Sequence, residues 1–121
     1  MAYTTINKSS LFQNQVIYSG NGSARTISGV GFQPDFTWIK SKSGTAWHQL
    51  TDSVRGNTYQ IASNSNGAGG TSVQGITSWN SDGFALGTNG DFNSGSNTFV
   101  GWNWKAGTAV SGNTGGSGTY K

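Results

Sequence analysis

Glycine, asparagine or a polar cluster interrupts every stretch of this sequence in which apolar residues begin to recur at three- and four-residue spacing. No window of ten or more positions can therefore form an amphipathic helix. Period-two alternation between turn residues remains, and it predicts strands over residues 15–19, 24–28, 36–41, 46–51, 58–63, 75–79, 84–87 and 98–104. Between the first two lie Gly20, Asn21 and Gly22, which tolerate the positive φ of a tight hairpin, so these strands are expected to pair. Asn66-Gly67, Asp82-Gly83 and Asn89-Gly90 mark further turns. About eight short strands punctuated in this way predict an all-β fold, an antiparallel β-sandwich of jelly-roll or lectin-like type.

Gly, Ser, Thr and Asn make up more than half of the 121 residues, a balance that would by itself point to disorder. Five Trp, six Phe and four Tyr oppose it. Aromatic side chains bury about 150–250 Å² each, enough to build a core that the sparse aliphatics cannot. Alternation in the last strand sets Val100, Trp102 and Trp104 on one face, expected to be the core face, and Phe99, Gly101 and Asn103 on the other. Phe36 and Trp38 share one face of the third strand while Ile39 takes the other, which suits a central strand covered on both sides. The sole proline, Pro34, stands just before it, where a turn is expected.

Three regions follow: an N-terminal arm over 1–14, the sandwich over 15–106, and a Gly/Ser/Thr-rich tail over 107–121. Tyr3, Ile6, Leu11 and Phe12 are the side chains with which the arm could hold a neighbouring subunit. The longest apolar run is far short of the roughly 18 residues that span a bilayer, and 1–10 lacks a charged-then-apolar leader pattern, so no membrane association is expected.

The chemical repertoire is narrow. Without cysteine there is no disulfide, thiolate metal site or sulfur nucleophile. The acids are Asp35, Asp52, Asp82 and Asp91, with no glutamate. His48 is the single histidine, and Asp52 lies four residues on, about 13 Å along an extended strand, so the two would meet as a catalytic pair only through a turn. Asp91 and Asn93 stand at alternate positions as in the opening of a calcium loop, but the closing glutamate is missing, and a turn held by their side chains is the better account. No catalytic residue, metal or cofactor is expected. The net charge of +3 is scattered along the chain rather than clustered, which argues against nucleic acid as partner. Trp47 and His48 form the best candidate for stacking on a sugar, and Arg55 in Asp52-Ser-Val-Arg-Gly56 could meet a sugar or anion.

Six segments, Tyr18-Ser-Gly-Asn-Gly22, Gly29-Val-Gly-Phe-Gln-Pro-Asp35, Trp38-Ile-Lys40, Asp52-Ser-Val-Arg-Gly56, Ser81-Asp-Gly-Phe84 and Trp102-Asn-Trp-Lys105, occur in an order that resembles a recurring domain of tailed-phage structural proteins. Such domains belong to virion and tail-fibre-like proteins of marine and cyanobacterial phages. The resemblance covers nearly the whole chain and implies a non-enzymatic component of the virion surface, a decoration or appendage protein. It would be made in the host cytoplasm and act by assembly with other virion proteins and with copies of itself, trimers being the first expectation. The alternative is a lectin-like module that attaches to host-surface glycans through Trp47, His48 and Arg55.

Overall fold

A computed structural model describes residues 8–107 as an antiparallel β-sandwich of nine strands. After a single 3₁₀ turn at Ser9–Leu11 come β1 (Gln13–Ser19), β2 (Arg25–Ile27), β3 (Phe36–Ser41), β4 (Gln49–Asp52), β5 (Tyr59–Ala62), β6 (Gly70–Thr71), β7 (Ile76–Asn80), β8 (Gly83–Leu86), the one-turn helix α1 (Gly90–Asn93) and β9 (Thr98–Trp104). Eight strands lie where alternation places them. The ninth, β6, has only two residues and no periodicity to reveal it. The larger sheet runs β1-β9-β3-β4-β5-β6 and the smaller β2-β8-β7.

The core is made where the two sheets face each other. Tyr18, Ile39 and Phe99 project from the larger sheet and Ile27, Ile76, Phe84 and Leu86 from the smaller, with Val30, Phe32 and Phe92 closing the sides. A Cβ on Gly101 would lie 3.6 Å from the tip of the Phe84 ring, so Phe84 packs on bare backbone across the sandwich. Burying these rings and branched aliphatics contributes about 1.5–3 kcal/mol per large side chain.

The outcome for β9 reverses the expectation. Phe99, Gly101 and Asn103 face the core, and Val100, Trp102 and Trp104 lie on the outer face of the larger sheet. Size and hydrophobicity favoured the tryptophans. Asn103, however, is fully buried because its amide donates to the carbonyls of Asn14 and Gly101 while its Oδ1 accepts from the Thr37 hydroxyl at 3.0 Å. β3 is central, between β9 and β4, as expected.

The expected hairpin of β1 with β2 does not form. β1 pairs with β9 over seven residues, and β2 pairs with β8 in the other sheet. The chain at Gly20, Asn21 and Gly22 instead crosses from one sheet to the other. Asn93 pins that crossing: its carbonyl accepts from Gly22 N–H at 2.7 Å, its Oδ1 from Asn21 N–H at 3.1 Å, and its Nδ2 donates to Ser23 at 2.7 Å.

At the N-terminal side the sheet starts before residue 15. Gln13 and Asn14 belong to β1, and Phe12 accepts a hydrogen bond from Lys105 N–H at 2.7 Å. Leu11 and Phe12 are 47 % and 37 % exposed. Tyr3 and Ile6, like the tail from residue 108 onward, lie outside the described residues.

Candidate functional site

Six strands oppose three, and the inner face of β4, β5 and β6 opens on a hollow of about 240 Å³. Small residues make the space: Ala62 and Gly70 occupy positions where larger side chains would fill it. Gln49 and Gln60 reach in from β4 and β5, Ser65 comes from the loop after β5, and Trp47 and Asp91 form the wall. Trp47 is 51 % exposed. Its backbone N–H donates to Asp91 Oδ1 at 3.2 Å, and Gln49 Nε2 donates to Asp91 Oδ2 at 3.1 Å. Asp91 sits in the first turn of α1, its own N–H capped by the Asn89 side chain at 2.9 Å. Gln49 is 3 % exposed and its Oε1 has no donor. A second hollow of about 390 Å³ shares Trp47 and Asp91 and is lined also by Thr45, Ala46 and Asn64.

Of the three residues expected to contact a sugar, only Trp47 takes part. His48 precedes β4 with the parity of the outer-face residues, and its N–H donates to Asn64 at 2.9 Å. Arg55 stands beyond the opposite end of β4. Its Nε donates to Asp52 Oδ2 at 2.5 Å and its guanidinium lies 5.3 Å from the centre of the Tyr59 ring. Burial works against the Asp52 anion, but hydrogen bonds from the Arg55 backbone and side chain, the Arg55 charge and Val54 N–H outweigh it and hold the carboxyl below its usual range. Asp52 is thereby committed to its own turn rather than to His48. Asp91 and Asn93 also diverge, Asp91 bonding Trp47 and Gln49, Asn93 the Ser23 and Gly87 carbonyls. Neither side chain holds its own turn as the sequence suggested: Asp91 reaches the segment at β4 and Asn93 the sheet crossing, and Asn89 caps α1. No group of three or more potential metal ligands occurs among the described residues.

The second feature is the outer face of the larger sheet. Cross-strand register aligns Gln15, Trp102, Trp38, Leu50 and Ile61 in one row across five strands. Ile17, Val100 and Lys40 form the row on one side of it, and Gln13, Trp104, Phe36 and Asp52 the row on the other. Trp38 and Trp102 tilt against each other with ring centres 5.2 Å apart, as do Phe36 and Trp104. Ile17 is 63 % exposed and Ile61 36 %. Ile17, Val100 and Trp102, with Lys40 and Lys42, line a shallow groove of about 500 Å³.

Residues 8–120 match the domain family described as Domain of unknown function (DUF7483). The chain belongs to that family. No curated protein and no solved structure matches it. Within this DUF7483 domain no helix among the described residues is long and apolar enough to cross a membrane. Gln49 and Gln60 of the hollow carry no mark in the sequence, and Asp91 stands out there only as a turn residue. Two are glutamines in strands and one an aspartate next to a turn, and nothing in their spacing marks a common destination.

Proposed function

We propose that this DUF7483 domain is a non-enzymatic structural protein of the exterior of a tailed-phage particle, working by packing its larger sheet against neighbouring subunits. One observation carries the assembly reading: the outer face of that sheet bears Ile17, Val100, Trp102, Trp38, Leu50 and Ile61 side by side, with Phe36 and Trp104 alongside; Ile17 and Ile61 are exposed, the rings and Leu50 half-buried, and Val100 is buried between them. A sheet face turned to water ordinarily alternates to polar residues, and a contiguous apolar band there is characteristic of a surface that meets another protein. The virion assignment is supported by the ordered motifs that resemble phage structural domains, and the partners would be other virion proteins or copies of this chain. Substituting Ile17→Asp and Ile61→Asp, both at exposed positions, places carboxylates in the band without disturbing the core. Sedimentation velocity and incorporation into particles should show loss of assembly with unchanged thermal stability. Variants that assemble as the parent does would refute the reading.

A further inference from the structure

We propose that the two hollows sharing Trp47 form a binding site for neutral oligosaccharides. The site uses residues distinct from the outer-face band and does not depend on assembly.

Trp47 presents half of its surface to solvent from a backbone held by Asp91. An exposed indole on a fixed backbone is the plate against which the C–H face of a pyranose ring packs, with little side-chain entropy left to lose. Gln49 adds the second, independent element. Its amide orientation is set by Asp91, because Nε2 donates to the carboxylate whereas Oε1 in that place would be repelled. Oε1 is then a buried acceptor without a donor, on a residue that lines the hollow. Buried acceptors are normally paired; Oε1 has almost no surface open to solvent, so a ligand hydroxyl would reach it only as the side chain turns toward the hollow. Gln60 and Ser65 can both donate and accept, as vicinal hydroxyls require.

Charge and size narrow the ligand. Asp91 is the one ionisable residue lining either hollow, so the site carries negative charge and disfavours uronic or sialic acids. The first hollow, at about 240 Å³, is smaller than the roughly 300–1,000 Å³ of sites that take drug-sized ligands, and suits one ring. The second shares Trp47 and Asp91 with the first, so successive units of a chain can occupy both.

The test is a titration of the full ¹⁵N-labelled chain with neutral trisaccharides of glucose, galactose and mannose, and with trigalacturonate as the acidic control. At millimolar concentration a neutral trisaccharide should shift the Trp47 indole and Gln49 side-chain resonances, and trigalacturonate should not. Trp47→Ala should weaken that binding by about tenfold or more with an unchanged Tm, since the side chain is exposed. Gln49→Met, which keeps the volume and removes the acceptor together with the donor to Asp91, should weaken it as well. Silence of both resonances with every neutral sugar, an affinity indifferent to Trp47→Ala, or shifts confined to Trp38 and Trp102 would overturn the proposal. Because these readouts do not involve assembly, their failure would leave the outer-face reading standing, and the reverse holds too.

Discussion

Asn93 is fully buried, and it replaces what larger proteins achieve with longer elements. Its amide and main chain join the sheet-crossing segment at Asn21 to Ser23, the Gly87 carbonyl after β8 and its own helical turn. Asn93→Leu keeps the volume but strands two carbonyls and one N–H, each unmade bond costing about 1–3 kcal/mol. A loss of about 3 kcal/mol or more is expected, read by urea denaturation. Tyr18 is comparable in kind. Burial pushes its phenol well above the usual range, with Arg25 opposing weakly, and the hydroxyl donates to the Phe92 carbonyl at 2.7 Å.

Asp82 ties the β7–β8 turn to the loop after β2 with both carboxylate oxygens, accepting from Gly29 N–H at 3.0 Å and Gly31 N–H at 2.6 Å. Glycine is required at those two positions, whose φ values are +92° and +88°. The two N–H groups hold the Asp82 carboxyl below its usual range. A depressed folded pKa means that the carboxylate's contribution is complete above the unfolded value of about 3.9 and is lost as pH falls through the lower folded value. Thermal melts between neutral and strongly acid pH should therefore show stability declining below about pH 4. Asp82→Asn should be less stable at neutral pH and show a shallower acid decline.

Among the elements, β1 determines how far the chain can be shortened. The sequence places the arm boundary after residue 14, yet Gln13 and Asn14 pair with Trp104 and Asn103, and Asn14 Nδ2 also donates to the Val30 carbonyl at 3.0 Å. Deleting residues 1–7 leaves every residue of β1 in the chain. Deleting 1–14 removes the first two pairs of β1 and leaves Asn103, Lys105 and Val30 short of partners, so its Tm should fall by about 10 °C or more. An attachment defect in the longer deletion would thus report damage to the sheet, and only the shorter one can test a role for Tyr3 and Ile6. β4 teaches a related lesson. Its alternation sends Leu50 outward and Gln49 and Thr51 inward, with Trp47 sharing the hollow with Gln49. The two polar residues on the inner side are the more buried, which a hydrophobicity pattern would assign the other way.

On the scale of the whole molecule, a sandwich with aromatic residues on both faces of its larger sheet fills its interior with one set, and on the proposed function the other set meets a neighbour. Association through the outer band would be driven by apolar burial rather than by charge. Raising NaCl from 0.1 to 1 M shortens the screening length from about 10 to 3 Å, yet the sedimentation coefficient should hold or rise. Dissociation at high salt would instead assign the contact to Lys40 and Lys42.

The residues themselves determined the β-rich class, the positions of eight strands, the central place of β3 and the absence of thiol chemistry, because alternation, turn chemistry and composition act over a few neighbours in the chain. Tertiary structure alone decided that β1 seeks β9, that Asn103 is buried while Trp102 faces outward, and that Trp47, Gln49 and Asp91 meet at one hollow. Each of these depends on hydrogen-bond partners far apart along the chain, up to 89 residues between Asn14 and Asn103, and a local pattern carries no record of a partner at that distance.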